Sequence, residues 1–151
     1  MLRMSKLTDY GTMVLAQLAA SDHGWTTAGQ VAGATHLTQT TVSKLLKSLV
    51  HAGLVTSTRG VQGGYALARP AAAISAAEIL DALEGPVAIT ECSSATGGCE
   101  LESYCLVGSA WQRINHSIRR ALEGVSLADL QTRRDPLPTL HTDLRAAVAA
   151  R

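Results

Sequence analysis

The run TQTTVSKLLKSLVHAGLVTSTRGVQGGYALA, residues 38–68, constrains the fold more than any other part of this chain. Val42, Leu45, Leu46, Leu49 and Val50 recur at i, i+3, i+4, i+7 and i+8, which lays one apolar stripe along a helix. Thr38 stands where an N-cap is needed, and Gly53 stands where a left-handed residue would end the helix. LVTSTRG and GGYALAR then read as two short strands around Gly60, Val61, Gln62, Gly63 and Gly64, a hairpin with a glycine-rich tip.

Two shorter helices are predicted ahead of this unit. Thr8 or Asp9 can cap the first, whose apolar positions Tyr10, Val14, Leu15 and Leu18 keep helical spacing until the turn at Asp22, His23 and Gly24. Thr27 and Gln30 have the spacing of a capping box for the second, with Val31 and Ala34 as its short buried face before a break near His36. Three helices and a hairpin in this order make a winged helix-turn-helix, with the third helix as the reader of a DNA major groove. The fold class is therefore mainly α with a small β-hairpin wing.

Beyond the hairpin, Ser75 and Glu78 form a second capping box and Ile74 with Ile79 a hydrophobic staple, so a helix is expected over about 76–84, stopped by Gly85 and Pro86. Leu106, Trp111, Ile114, Ile118, Leu122 and Val125 lie along one stripe of a later helix. At about 20 residues it would be ~30 Å long, too long for a domain this small to bury, which implies packing against a second subunit. The organisation expected is a winged domain with its following helix at 1–86, a cysteine-rich loop at 87–105, a dimerisation helix and short final helix at 106–131, and a tail at 132–151. That tail, with Leu140, Leu144 and Val148 at intervals of four after two prolines, is either a short helix or frayed.

Charge is segregated in a way the overall value of +1 hides. Residues 1–70 carry six Lys and Arg against two Asp, a net of +4, while residues 71–110 carry six acidic residues and no Lys or Arg. The first segment can meet phosphates and the acidic middle should face away from them. Gln39, Thr40, Ser43, Lys44 and Lys47, on the polar face of the third helix that Thr38 opens, are the candidates for base or phosphate contact. Arg59 at the wing tip is the candidate for a minor groove. Any surface helix shows a polar face; the adjoining wing within one basic segment is what favours double-stranded DNA as the partner. No stretch reaches the ~18 apolar residues a membrane helix needs, and the first residues lack a signal-peptide core, so the expected location is cytoplasmic.

Cys92, Cys99 and Cys105 are the only cysteines, crowded into ECSSATGGCELESYC. In a reducing compartment an odd set of three thiols favours ligation or redox chemistry over a disulfide framework. Their separations are wider than a zinc knuckle and unlike ferredoxin spacings. Soft ligands spread over a flexible loop can still wrap a larger inorganic core, an iron–sulfur cluster of 2Fe-2S or 4Fe-4S type. A thiol redox enzyme using Cys99 or Cys105 lacks both a Cys-x-x-Cys pair and an activating histidine. A regulator using the loop for zinc or a disulfide switch without iron remains the alternative.

The phrase GLVTSTRGVQGGYALA, followed by ISAAEILDALEGP, three cysteines and a long helix, resembles the Rrf-two family of transcription regulators over about residues 4–131. Within that family, which includes the iron–sulfur sensors IscR and NsrR, the chain looks most like regulators of the SUF cluster-assembly operon. The resemblance implies a homodimeric winged-helix repressor whose cluster is bound by Cys92, Cys99 and Cys105. Nitric oxide or redox state could be sensed through the same thiols. For the fourth ligand, the IscR-like pattern has a histidine three positions after the third cysteine, where this chain has Gly108. The NsrR-like pattern takes an aspartate from the first helix of the other subunit, and Asp9 stands at the matching place, although it could equally be a helix cap. His116 on the long helix is read as exposed or at the dimer interface. The IscR branch also carries a glutamate where this chain has Ser43, so a different operator is expected.

Overall fold

A computed structural model describes residues 4–21, 24–93 and 104–131. Its helices are α1 (Lys6–Ala19), α2 (Ala28–Thr35), α3 (Gln39–His51), α4 (Ala76–Leu83), α5 (Gly108–Glu123) and α6 (Leu127–Gln131). The strands β1 (Val55–Thr58) and β2 (Gly64–Leu67) pair antiparallel between α3 and α4, with Val55 opposite Leu67 and Thr58 opposite Gly64. The mainly helical winged fold expected from the sequence is present. The tail, Asp22, His23 and the middle of the cysteine loop lie outside the described residues.

The apolar stripe of α3 builds the core. Val42, Leu45, Leu46 and Leu49 are buried, and they meet Val14, Leu15 and Leu18 of α1, Val31 of α2, and Leu54 and Val55 at the start of the wing. Thr38 caps α3 by accepting from the Thr41 amide, and Gly53 takes φ +74 just past its end, both where the sequence places them. The capping boxes at Thr27/Gln30 and Ser75/Glu78 are both formed. The Ser75 amide and the Arg69 guanidinium, 2.6 Å away, hold the Glu78 carboxyl below its ordinary range.

Two local expectations are corrected. α1 begins earlier than Thr8 or Asp9: Ser5 is the cap, its hydroxyl accepting from the Leu7 amide at 3.1 Å. Thr8 is instead buried inside the first turn and Asp9 is exposed beside it. In α2 the buried positions are Val31, Ala32 and Thr35, while Ala34 faces solvent. The Thr35 hydroxyl tolerates burial because it donates to the Val31 carbonyl at 2.7 Å.

The chain's later part returns to the winged domain. Backbone bonds from Ala76 to the Val125 carbonyl and from Leu127 to the Ile74 carbonyl, both 2.8 Å, bridge the start of α4 to the α5–α6 junction. They seat Leu127, with no exposed surface, in the same core as Ile74 and Ile79. Leu127→Ala is therefore expected to cost about 2–5 kcal/mol, read as a lower denaturation midpoint. A loss under about 1 kcal/mol would mean α6 is only loosely held.

Candidate functional site

Gln39, Thr40, Ser43, Lys44 and Lys47 are all exposed and line one shallow groove on the outer face of α3. The opposite stripe is locked in the core, so this face is presented rigidly. Thr38 opens the same face, but its hydroxyl is already engaged as the cap and with the Thr41 hydroxyl at 2.8 Å. Lys44, Lys47 and Arg59 make no ion pair among the described residues, whereas Arg69 is held by Glu78 and Arg119 by Asp81 and Glu123. Arg69 and Arg119 are thus neutralised by the acidic middle, whereas the cations on α3 and at the wing tip keep their charge available for phosphate.

The glycines that shape the wing have a steric reason. A Cβ on Gly63 would stand 2.5 Å from the Thr58 carbonyl oxygen, and one on Gly64 would stand 2.8 Å from that of Thr26. The Thr26 and Tyr65 backbones exchange two hydrogen bonds of 2.9 Å across this close approach. The wing is thereby tied to the segment that enters α2, and the exposed Arg59 at its tip is carried on an anchored base rather than a free hairpin.

Around the cysteines, three polar side chains of α5 grip the chain that leads to Cys92. Arg119 forms a two-point pair with Asp81 at 3.1 and 2.8 Å. Asn115 donates to the Val87 carbonyl at 3.0 Å and accepts from the Ile89 amide at 3.2 Å. Gln112 donates to the Cys92 carbonyl at 3.0 Å. Cys92 lies in a single 3-10 turn, Glu91–Ser93, with its sulfur 3.2 Å from the Thr90 hydroxyl. Cys105 stands just before α5, its sulfur 3.5 Å from where a Cβ on Gly108 would be. Both are free thiols and only partly buried. Cys99 lies outside the described residues, and among the described residues no three His, Cys, Asp or Glu side chains gather as a metal site. Asp9 in the first turn of α1 and His116 on α5 are both exposed.

Sequence reasoning missed Gln112, Asn115 and Glu84. The first two sit beside the apolar stripe of α5 and read simply as its polar flank. Glu84, just past α4, accepts on one carboxylate oxygen from the Ser5 amide at 3.0 Å, the Ser5 hydroxyl at 2.8 Å and the Thr8 hydroxyl. The Thr8 hydroxyl first, then Ser5, holds this carboxyl below its usual range.

The stripe on α5 is only partly covered, Ile118 and Leu122 being half-buried. Gly108 is the only fully buried residue of that helix, and Trp111 and Ile114 remain 41% and 44% exposed. The helix is shorter than expected, 16 residues or about 24 Å, because it starts at Gly108 and leaves Leu106 outside.

A family model described as "Iron-dependent Transcriptional regulator", Rrf2, matches residues 4–133. The chain belongs to the Rrf2 family. Rrf2 winged-helix regulators bind DNA, and the family and the relatives found are transcriptional regulators. It is 42% identical over 94 residues to a protein of Azotobacter vinelandii described as an HTH-type transcriptional regulator, ORF2, an alignment covering 62% of this chain; the chain spans only 57% of the length of that curated relative. Among solved structures it is similar to CymR (YrzC), the global cysteine regulator of B. subtilis, with 31% identity, a TM-score of 0.65 and coverage of 89% of this chain and all of the other. It is also similar to T. potens IscR, with 27% identity, a TM-score of 0.64 and coverage of 89% and 94%. Among the described residues no helix of this Rrf2 chain is long and apolar enough to cross a membrane.

Proposed function

We propose that this Rrf2 regulator is a homodimeric repressor that senses an iron–sulfur cluster through Cys92, Cys99 and Cys105 and controls cluster-assembly genes of the SUF type. The observation that carries the reading is that Cys92 and Cys105, the described ends of a three-thiol segment, are free, partly exposed and brought back to α5. They are neither core residues nor a disulfide, and thiolates are the donors iron–sulfur clusters require. When bound, the cluster supplies an oxygen- and redox-sensitive crosslink among these sulfurs. Gly108 offers no side chain where the IscR-like pattern has its histidine, and a Cβ there would meet only ordinary contact with Cys105, so crowding does not explain the glycine. The NsrR-like resemblance makes Asp9 of the partner subunit the proposed fourth donor, and the exposure of Asp9 suits that role.

The remaining residues divide the work. Trp111, Ile114 and Ile118 cover one another's counterparts across two copies of α5, with Ala110, Ser117 and Ala121 letting the helices approach closely. Gln39, Thr40, Ser43, Lys44 and Lys47 meet bases or phosphates, Arg59 at the wing tip enters a minor groove, and Thr38 adds its own backbone position at the helix start. Paired recognition helices must sit about 34 Å apart to meet successive major grooves. Lys44→Ala is expected to weaken binding by about tenfold at low salt and to lower the slope of log affinity against log salt by about 1. An unchanged slope would take Lys44 off the phosphates.

The deciding experiment is anaerobic purification with iron, sulfide and zinc analysis, followed by operator titration of loaded and metal-free protein. Iron and sulfide in stoichiometric amounts, with an affinity that differs between the two forms, is the result expected. The free Cys92 and Cys105 thiols also suit a second reading, a zinc or thiol switch without iron; stoichiometric zinc, or an iron-free protein whose affinity changes on thiol oxidation, would establish it instead.

A further inference from the structure

Residues 81–92 form a strap that is fastened to α5 at Asp81, at Val87 and Ile89, and at the Cys92 carbonyl. Among the described residues, its one side-chain hydrogen-bonded fastening to the DNA-reading half is Glu84, whose carboxylate receives the Ser5 amide and both the Ser5 and Thr8 hydroxyls; Ala82 and Leu83 add apolar packing. These three donors are the opening turn of α1, where a carboxylate also meets the positive end of the helix dipole. Immediately beside the clamp the two elements are in close contact: a Cβ on Gly11 would overlap the Leu83 side chain. α1 in turn shares its buried Val14, Leu15 and Leu18 with the apolar stripe of α3. A continuous set of contacts thus runs from Cys92 along the strap to Glu84, into α1, and through the core to the recognition helix.

From this we infer that Glu84 is a positioning residue that transmits a displacement of the Cys92 segment to α1 and so to the spacing of the recognition helices. The inference rests on the proposed cluster-sensing reading for its biological input, but the transmission itself is a property of the strap. Glu84 is exposed and lies outside the core, so its geometry is poorly explained as bulk stabilisation. Coupling of this kind is a difference between states, and it is measured by whether two perturbations fail to add.

The test has two arms. In metal-free protein, amide exchange over residues 7–12 is followed in wild type, Asn115→Ala, Glu84→Ala and the double variant. Asn115→Ala, which unfastens the strap at Val87 and Ile89, is expected to speed exchange at the start of α1 by about tenfold, and to add nothing once Glu84 is already alanine. Independent, multiplicative effects in the double variant would overturn the inference. In the second arm the ratio of operator affinities between iron-loaded and metal-free protein is compared. Glu84→Ala is expected to bring that ratio within about twofold of one while iron per chain stays at the wild-type value, and Glu84→Gln, whose carbonyl accepts the same three bonds, is expected to restore most of it. A wild-type ratio in Glu84→Ala would refute the role. Should that variant fail to fold, Thr8→Val removes a donor from the other side of the clamp and must reproduce the collapse. If wild type itself shows no dependence on iron, the sensing reading fails, and the exchange arm alone decides whether Glu84 couples strap to helix.

Discussion

Cys92→Ala is expected to yield a folded dimer that, purified without oxygen, has no visible absorption and less than about a tenth of the wild-type iron. The fold should survive because Cys92 is only partly buried in a short 3-10 turn. What holds that turn to α5 is the carbonyl of residue 92, which accepts from Gln112 and is kept by alanine. The loss should be near complete, since a cluster deprived of one of three thiolates in a segment with no spare cysteine has no equivalent soft donor to recruit. Circular dichroism and the melting midpoint check the first half; absorption, iron and sulfide check the second. A chromophore that persists in the variant would remove Cys92 from the ligand set.

How much of this was readable beforehand depends on how local each cause is. The α3 stripe and the capping boxes at Thr27 and Ser75 are set by neighbours three or four residues away, and they stand where their spacing places them. The wing glycines were legible as a turn, but the reason for Gly64 was not, because its close neighbour is the Thr26 backbone 38 positions earlier. The start of α1 was misplaced for the same kind of reason. Ser5, Thr8 and Asp9 are all competent caps in isolation, and the choice falls to Ser5 in company with Glu84, whose carboxylate engages both Ser5 and Thr8 from far along the chain. In α2, six of eight residues are Ala, Gly or Thr, so the sequence offers little contrast between faces and the buried side is settled by packing. The thiols were legible as a group from composition alone. Gln112 and Asn115, which fasten their segment, carry no signal that separates them from an ordinary solvated flank.

Ile114→Asp should convert the protein to a monomer at micromolar concentration and cut operator affinity by about 10²–10⁴, the advantage of engaging two half-sites at once. Within one protomer Ile114 is 44% exposed and stands outside the core cluster, so the monomer's own fold should be little affected. Across a helix pair the same position would place an unpaired carboxylate in an apolar seam, and a buried charge without a partner is far costlier than the lost contact of one isoleucine. Arg113 and Arg120, which make no ion pair among the described residues, are the cations that could soften this cost. Ile114→Arg is therefore the stricter variant, since it adds like charge to that helix. Sedimentation gives the oligomeric state and operator titration the affinity. A dimer that tolerates both substitutions with wild-type affinity would move the subunit interface off the α5 stripe, and the recognition helices would then need another element to hold their spacing.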